Sequence, residues 1–366
     1  MHQRISLINE LRPFIIFECA GSEPSIKSIF SNHDIKYYYY PLRMGLSIYR
    51  DIISLFYLMK IIYESSPDIV HTFDTKPNIY GRLAAYICNV KVIIGTQPGA
   101  GMVFSKFNPI FGKYRKKLFE FLLKIISKIS DLTIFQNSSD LALMTSKKIV
   151  NHKNSTLIIS SGVDTKFYRN LKNLKFKPLT DKKNLVRITF VARLTVSKGT
   201  IFFCELAKSV RRKNPNVIFD VVGEIPEGSK DKIDEEVLNN YKKDINYIGK
   251  VENIKSILNA TDLIVFPSFF TEGVPRVLIE AASMGLPIVA FDNPGSDEVV
   301  INEFNGYLVP IGDSKSLEKA VYKILKNEKK YYSFSKNSRR LALQKFDISF
   351  VAKQYKKVYD SFNIHT

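Results

Sequence analysis

Cysteine and histidine are scarce in this chain of 366 residues, with three and five of them respectively. Its three cysteines, Cys19, Cys88 and Cys204, are far apart in apolar surroundings, and no CxxC pair or histidine cluster accompanies them. Disulfide frameworks are typical of small secreted proteins, and metal sites show short, regular cysteine spacings. We therefore expect three reduced core cysteines in a cytosolic protein, with no disulfide and no metal site.

Long apolar runs and nucleotide-binding fingerprints are also missing. The longest apolar run, residues 52–63, is interrupted by Lys60, whereas a membrane-spanning helix requires about 20 apolar residues. The N-terminal residues show no secretory signal pattern. Neither GxGxxG nor a Walker motif occurs, which argues against binding of NAD or ATP through those motifs.

Acidic residues are too few to balance the basic ones. Lysine and arginine number 54 and aspartate and glutamate 35, so the net charge is +19. This imbalance predicts a polyanionic partner, which is nucleic acid, anionic lipid headgroups or a phosphorylated substrate. The charge is spread along the chain without a recognised nucleic-acid module, so nucleic acid is the least favoured of the three. With 45% hydrophobic residues, the chain is long enough for two globular domains.

The most informative stretch is residues 262–281. Its apolar first part, residues 262–268, predicts a buried parallel strand, and a Gly-Val-Pro turn and an apolar-periodic helix follow. Proline suits the first position of a helix, whose free N–H groups and dipole favour an anion. Glu272 and Glu280 flank this anion site, and carboxylates accept hydrogen bonds from sugar hydroxyls. The pattern therefore predicts a nucleotide-sugar site, with the diphosphate at the helix tip.

These residues are part of a longer ordered set of motifs. Residues 272–281 read EGVPRVLIEA and are followed by GLPIVA at 285–290, PG at 294–295 and NGYLVP at 305–310. In this register the set resembles the signature of the retaining glycosyltransferases of family 4, and the similarity extends from about residue 67 to the end. The resemblance implies the GT-B fold, an α/β fold with two Rossmann-like domains facing each other across a cleft.

Strands that alternate with helices predict parallel sheets with helices on both faces. We expect an N-terminal, acceptor-side domain at residues 1–165, joined by a C-terminal helix at about 349–366. A polar and basic linker at 166–184 leads to a nucleotide-sugar-binding domain at 185–345. Family members usually begin with another strand and a glycine-bearing loop. Here a short helix precedes a predicted strand at 14–18, so we expect a shortened N-terminal domain.

The resemblance places the donor site in the second domain. Arg193 at a strand end and Lys198 at the next helix start are expected to neutralise the leaving diphosphate, without metal or cofactor. Glu280 would hold the ribose hydroxyls, and Glu272 would hold the sugar hydroxyls and orient the anomeric carbon. The other donor-binding candidates are Gly273, Val274, Pro275, Arg276, Gly223 and Val251.

Four candidates in the first domain follow predicted strands, where parallel sheets bind ligands. A lone histidine at a strand end is more often structural, but the resemblance makes His71 a catalytic candidate near the donor sugar. Lys76 is expected to bind the phosphates of a lipid-linked acceptor. Gly99 and Gly101 permit a close approach of the backbone to that acceptor, although a plain tight turn explains them equally well.

Residues 106–128 predict a basic amphipathic helix. Apolar side chains recur at helical spacing, and lysines and an arginine cover the other faces with Glu120 as the only acidic residue. Such a helix can lie on an anionic bilayer, or it can pack on the core with a solvated basic face. Given the net charge, we favour the membrane surface.

Together these features predict a retaining, metal-independent hexosyl- or N-acetylhexosaminyltransferase. It would move a sugar from a nucleotide sugar, expected to be UDP-linked, to a polyprenyl-diphosphate-linked saccharide in the assembly of lipopolysaccharide O-antigen or capsule. The expected location is cytoplasmic, peripheral on the inner face of the cytoplasmic membrane. The alternatives are a nucleotide-sugar epimerase on the same fold, an inactive family member, and a basic nucleic-acid-binding protein. The Arg-x4-Lys and Glu-x7-Glu spacings favour transfer over epimerisation.

Overall fold

The computed structural model describes residues 4–42, 47–99, 113–170, 175–179 and 184–363. The chain forms two compact units. Unit 1 comprises Met1–Gly162 and Ile348–Thr366, and unit 2 comprises Val163–Asp347. All three cysteines are free; Cys19 and Cys204 lie in the core as predicted, whereas Cys88 is half-buried.

Each unit is built on parallel strands. In unit 1, β1 pairs with β2, and a second sheet has the order β3-β4-β5-β6. In unit 2, one sheet has the order β12-β11-β10-β7-β8-β9. The strands are β1 (Glu18–Gly21), β2 (Lys36–Tyr39), β3 (Ile69–Phe73), β4 (Val92–Gln97), β5 (Leu132–Phe135), β6 (Ser155–Leu157), β7 (Val186–Val191), β8 (Val217–Val222), β9 (Asn246–Gly249), β10 (Leu263–Phe266), β11 (Ile288–Phe291) and β12 (Gly306–Val309).

Helices connect these strands. They are α1 (Ile5–Leu11), α2 (Lys27–Ser31), α3 (Ile48–Ser65), α4 (Thr75–Ile87), α5 (Lys113–Lys128), α6 (Ser138–Ser146), α7 (Thr200–Lys213), α8 (Glu235–Asn240), α9 (Ile254–Ala260), α10 (Arg276–Ser283), α11 (Ser314–Leu325), α12 (Glu328–Leu341) and α13 (Ile348–Asp360). None of these helices is both long enough and apolar enough to cross a membrane. The predicted helix at 106–128 is present as α5, and residues 106–112 lie outside the described part of the chain.

Alternate residues of the four-stranded sheet in unit 1 face two helical layers. Val92, Ile94 and Ile134 pack with α1 and α13. Ile93 packs with α3 and α4, and Phe135 packs with α5 and α6. Side chains alternate along each strand, and the register of β4 with β5 places Ile93 and Phe135 on the same face. Helices α3, α4 and α5 therefore cover one face of this sheet, and α13 covers the other.

The start of unit 1 differs from the prediction. The predicted strand at 14–18 is wrong, because β1 begins at Glu18 and pairs with β2 from there. Ile16 is almost fully exposed, whereas Ile15 and Phe17 pack on the core as irregular chain. Only part of this apolar run thus packs on the core, and it does so without joining the sheet.

Candidate active site

The strand order of unit 2 reverses between β7 and β10. From β7 the sheet continues through β8 and β9, whereas β11 and β12 lie on the other side of β10. Open parallel sheets bind ligands at such a switch point, outside the carboxyl ends of the strands. Arg193 and Lys198 follow β7, and Glu272 follows β10, so the predicted diphosphate-binding residues lie at this edge.

The loop between β10 and α10 is fixed by its neighbours. The Phe269 N–H donates to the Ser197 carbonyl at 3.0 Å, and the buried Asn293 side chain donates to the Phe270 carbonyl at 2.7 Å. Gly295 has a φ of +91°, and a Cβ there would lie 1.6 Å from the Gly273 carbonyl oxygen. Only glycine permits this approach. The glutamate-bearing loop is thus held on both sides before any ligand binds.

Lys198 and Glu272 form an ion pair within this site. The Lys198 side chain is 10% exposed and that of Glu272 24%. The Lys198 ammonium also lies 4.8 Å from the ring centroid of Phe270. A cation is therefore held against the loop that leads into α10. A bound diphosphate would compete with Glu272 for it.

Arg193 contrasts with Lys198 because its side chain is exposed. Within the described residues, no hydrogen bond or ion pair of its guanidinium is present. An arginine guanidinium that has no other partner can bind a phosphate through two parallel hydrogen bonds. The position of Arg193 is therefore compatible with its predicted role.

Helix α10 begins one residue later than predicted. Proline was expected at the first helical position, but α10 starts at Arg276 and Pro275 is the N-cap residue, with φ −60° and ψ 120°. Among the described residues, no side chain caps this N-terminus, and the Leu278 N–H donates to the Pro275 carbonyl at 3.0 Å. The dipole at this end of the helix favours an anion.

Glu280 is the most enclosed carboxylate of the site, at 5% exposure. Its Oε1 accepts a hydrogen bond of 2.7 Å from Arg276 Nε, one helical turn away. Tyr168 also interacts with this carboxylate. Burial raises the pKa of Glu280, while the charge and hydrogen bond of Arg276 and the interaction with Tyr168 act to lower it. Glu280 is thus oriented by two neighbours.

The sequence did not identify Tyr168. It lies in the aperiodic stretch predicted as a linker, and no pattern marks it. In the structure it is buried, and its carbonyl accepts hydrogen bonds from Ser283 Oγ at 2.7 Å and from Arg339 at 3.1 Å. The segment around Tyr168 therefore packs on α10, which brings its hydroxyl to Glu280.

The remaining donor candidates of unit 2 follow β8 and β9. The Gly223 N–H donates to the Gly249 carbonyl at 2.8 Å, and the Gly223 carbonyl accepts from the Tyr247 hydroxyl at 3.2 Å. Val251, half-buried, lies two residues beyond Gly249. Gly223 and Val251 thus belong to one adjoining pair of loops. Next to Val251, Lys250 forms an exposed ion pair of 2.8 Å with Glu224.

His71 in unit 1 has both ring nitrogens engaged. Nδ1 lies 2.7 Å from the Tyr359 hydroxyl, and Nε2 lies 2.8 Å from Thr96 Oγ1. Burial lowers the pKa of His71 well below its usual value, and the charges of Arg4 and Arg82 lower it further. The imidazole is therefore neutral and ties β3 to β4 and α13. This geometry favours a structural role, and the catalytic role stays a prediction.

The structure shows less about the acceptor-side candidates of unit 1 than about the donor-side candidates of unit 2. The Lys76 ammonium pairs with Asp51 at 2.6 Å, and Asp51 also accepts from the Tyr80 hydroxyl at 2.9 Å. Lys76 is thus partly neutralised by α3, and its role in acceptor binding stays a prediction. The Gly99 carbonyl accepts from the Gln97 side chain. Gly101 lies outside the described residues.

Within the described ranges, no three histidine, cysteine, aspartate or glutamate side chains converge as metal ligands. The cationic side chains and the α10 N-terminus are the groups present that can balance a diphosphate. Metal independence remains a prediction.

Two protein-family models match this chain. One, described as "Glycosyl transferases group 1", matches residues 172–341, and the other, "Glycosyl transferase 4-like", matches residues 19–137. The first match includes every donor-site candidate of unit 2. The second includes the acceptor-side candidates of unit 1.

Individual proteins resemble the chain over most of its length. The "UDP-Gal:alpha-D-GlcNAc-diphosphoundecaprenol alpha-1,3-galactosyltransferase" of Escherichia coli is 29% identical over 371 residues, covering 98% of this chain and 92% of that protein. The "N,N'-diacetylbacillosaminyl-diphospho-undecaprenol alpha-1,3-N-acetylgalactosaminyltransferase" of Campylobacter jejuni is 27% identical over 329 residues, covering 87% and 83%. The crystal structure of Anabaena HepE with UDP-glucose matches with a TM-score of 0.77 at 18% identity, covering 98% and 96%. This structural likeness confirms the predicted GT-B fold class.

Proposed function

The chain belongs to the glycosyltransferases of family 4, and from this membership we propose that it moves a sugar from a UDP-sugar to a lipid-linked saccharide acceptor. One observation carries the donor half of this proposal. The Lys198–Glu272 pair, the uncapped start of α10 and the buried Glu280 lie along one stretch at the switch point of unit 2. In this order, Lys198 and the N–H groups at the start of α10 would bind the diphosphate. Glu272 and Glu280, on either side, would accept hydrogen bonds from hydroxyl groups of the sugar and the ribose.

In the proposed mechanism, the acceptor hydroxyl oxygen bonds to the anomeric carbon on the face from which UDP departs. The bond between the anomeric carbon and the β-phosphate oxygen breaks, and UDP leaves with the proton of the attacking hydroxyl. Arg193, Lys198 and the N–H groups of the α10 start would stabilise the negative charge that develops on the diphosphate, without metal. Glu272 would orient the sugar, and Glu280 would hold the ribose.

The acceptor half of the proposal comes from the relatives. Both curated relatives described above are named for transfer to sugars linked to diphosphoundecaprenol. By analogy, we place this chain in surface-polysaccharide assembly, with its acceptor in the inner face of the cytoplasmic membrane. Lys76 and the loop after β4 are the proposed acceptor contacts in unit 1.

A transfer assay tests this function. The purified protein is incubated with a panel of radiolabelled UDP-sugars and a synthetic polyprenyl-diphosphate-linked saccharide, with and without EDTA. We expect one UDP-sugar to label the lipid equally well under both conditions, and NMR of the product to show retained anomeric configuration. Transfer that stops in EDTA would contradict metal independence. If the assay gives epimerised UDP-sugar and no labelled lipid, the protein is an epimerase and the proposed transferase activity is wrong.

A further inference from the structure

Helix α3 presents a ring-bearing face to the outside of unit 1. Tyr49, Phe56 and Tyr63 are 76%, 64% and 82% exposed and recur at intervals of seven residues. At about 3.6 residues per turn, this spacing places all three on one face. The opposite face carries the buried Leu58 and Ile62, which pack against α4. The ring-bearing face is therefore not the side by which α3 joins the core.

Helix α5 presents a second exposed apolar strip. Leu118, Phe121, Leu122 and Ile125 are all exposed, whereas Ile126 is buried. Lys117, Lys124 and Lys128 are exposed beside that strip. The apolar residues of α5 are thus divided between the core, where Phe119 and Leu123 pack, and this exposed strip.

The two exposed faces belong to one layer. The sheet register shows that α3, α4 and α5 cover the same side of the unit 1 sheet, with α4 in contact with both. The outer sides of α3 and α5 consequently point away from the sheet in the same general direction. At the end of α4, Tyr86 and Ile87 are also exposed. Exposed apolar side chains gathered on one layer mark an interaction surface.

We propose that unit 1 docks on an anionic bilayer through this layer, with the α3 rings inserted at the headgroup level and the α5 lysines on the lipid phosphates. The proposal deepens the membrane part of the proposed function. Phe, Tyr and Leu beside lysine are the side chains of interfacial helices. Each basic residue near the surface strengthens binding to an anionic bilayer about fivefold. A bilayer explains both features, because a purely apolar partner would leave the lysines unmatched.

Helices α3 and α5 are expected to contribute to membrane binding in different ways. The lysine contribution is screened as salt rises, because the Debye length falls from about 10 Å at 0.1 M to about 3 Å at 1 M. Burial of the aromatic rings does not depend on screening. Binding through both helices should therefore retain a salt-resistant part that belongs to α3.

Vesicle co-sedimentation separates these contributions. Full-length protein is mixed with phosphatidylglycerol-containing or purely phosphatidylcholine vesicles at 0.05 and 0.5 M salt. We expect K117Q/K124Q/K128Q to lower binding to the anionic vesicles about a hundredfold at low salt. We expect Phe56→Ser with Tyr63→Ser to lower binding about tenfold or more at both salt concentrations. The matched control, Leu343→Ser on unit 2, should bind like wild type.

Thermal shifts with UDP show whether each variant is folded and keeps its donor site, so failure of docking is distinct from failure of the donor assignment. Wild-type protein that responds to UDP but does not sediment with anionic vesicles would overturn docking alone. So would an α3 variant that binds like wild type. Sedimentation that shows a wild-type dimer and a monomeric α3 variant would reassign this layer to self-association.

Discussion

Two buried cations, Lys198 in unit 2 and Arg82 in unit 1, are held in different ways. In unit 2, Lys198 is paired with Glu272 and Glu280 with Arg276, so each buried charge has a partner of opposite sign. In unit 1, Arg82 is 3% exposed and donates to neutral oxygens, and no carboxylate contacts it within the described residues. Burial lowers the pKa of Arg82 to about 9.

This difference shows which charges a ligand can use. An ion pair at the edge of a sheet can exchange its partner for a diphosphate, because one strong contact replaces another. A guanidinium enclosed by Thr72, Thr133 and Asn78 has no such access and instead joins strands and a helix within unit 1. We therefore propose that the Lys198–Glu272 and Arg276–Glu280 pairs serve donor binding and that the Arg82 network serves stability.

The largest expected effect is that of Lys198→Ala. It removes the cation held against the loop that leads into α10, and we expect a loss of about 10²- to 10³-fold in kcat, the range found for single groups that stabilise a developing anion. Steady-state transfer kinetics measure it. Lys213→Ala is the matched control, since Lys213 pairs with Glu318 on the exposed surface of the same unit. Equal losses in the two variants would contradict the distinction between site and surface pairs.

Arg82→Ala should affect stability and not donor chemistry. It leaves the oxygens of Thr72, Thr133 and Asn78 without their buried donor, which we expect to cost about 2–4 kcal/mol of unfolding free energy. Urea unfolding checks this value. Arg193→Ala should show the opposite pattern, with unchanged stability and slower transfer. Unfolding of Arg82→Ala within about 0.5 kcal/mol of wild type would contradict the structural assignment.

Glu280→Gln tests the enclosed carboxylate of unit 2. Burial raises the pKa of Glu280 in the folded state. The contribution of Glu280 to the free energy of unfolding is therefore complete below its pKa in the unfolded state, about 4.3. This contribution is lost as the pH rises through its pKa in the folded state. The glutamine variant should lack this loss. Its stability relative to wild type should therefore increase with pH, while its affinity for UDP falls about tenfold. Chemical unfolding from pH 4 to 8 and calorimetric titration with UDP measure the two effects.

The smallest effect should come from Tyr168→Phe. The missing hydroxyl removes one of the groups that lower the pKa of Glu280, so this pKa should rise further. Affinity for UDP should then begin to fall at a higher pH than in wild type as the solution is acidified, with a loss of about threefold near neutral pH. Tyr322→Phe, whose hydroxyl contacts Asn214 away from the site, is the control. Superimposable affinity–pH profiles for the Tyr168 variant and wild type would exclude its positioning role.

Much of the fold followed from periodicity. The apolar pattern predicted α3 with the observed bounds, Ile48–Ser65, and β4 to within one residue. The irregular packing of Phe17 and the contact of Tyr168 with Glu280 did not follow, because neither belongs to a repeating pattern. Pairings such as Lys76 with Asp51 were also hidden, since partners 25 residues apart meet only after α3 and α4 pack together.

The central claim is that unit 2 binds a UDP-sugar at the start of α10, and thermal unfolding with a panel of nucleotides tests it most directly. Wild type, Glu280→Ala and Lys213→Ala are heated with UDP, GDP, UDP-sugars and, as a polyanion control, DNA. A ligand at a hundredfold excess over its Kd stabilises the folded state by about 2.7 kcal/mol. We predict a shift with one UDP-sugar that Lys213→Ala keeps and Glu280→Ala loses. No shift with any nucleotide, or an equal shift with DNA, would contradict the donor site.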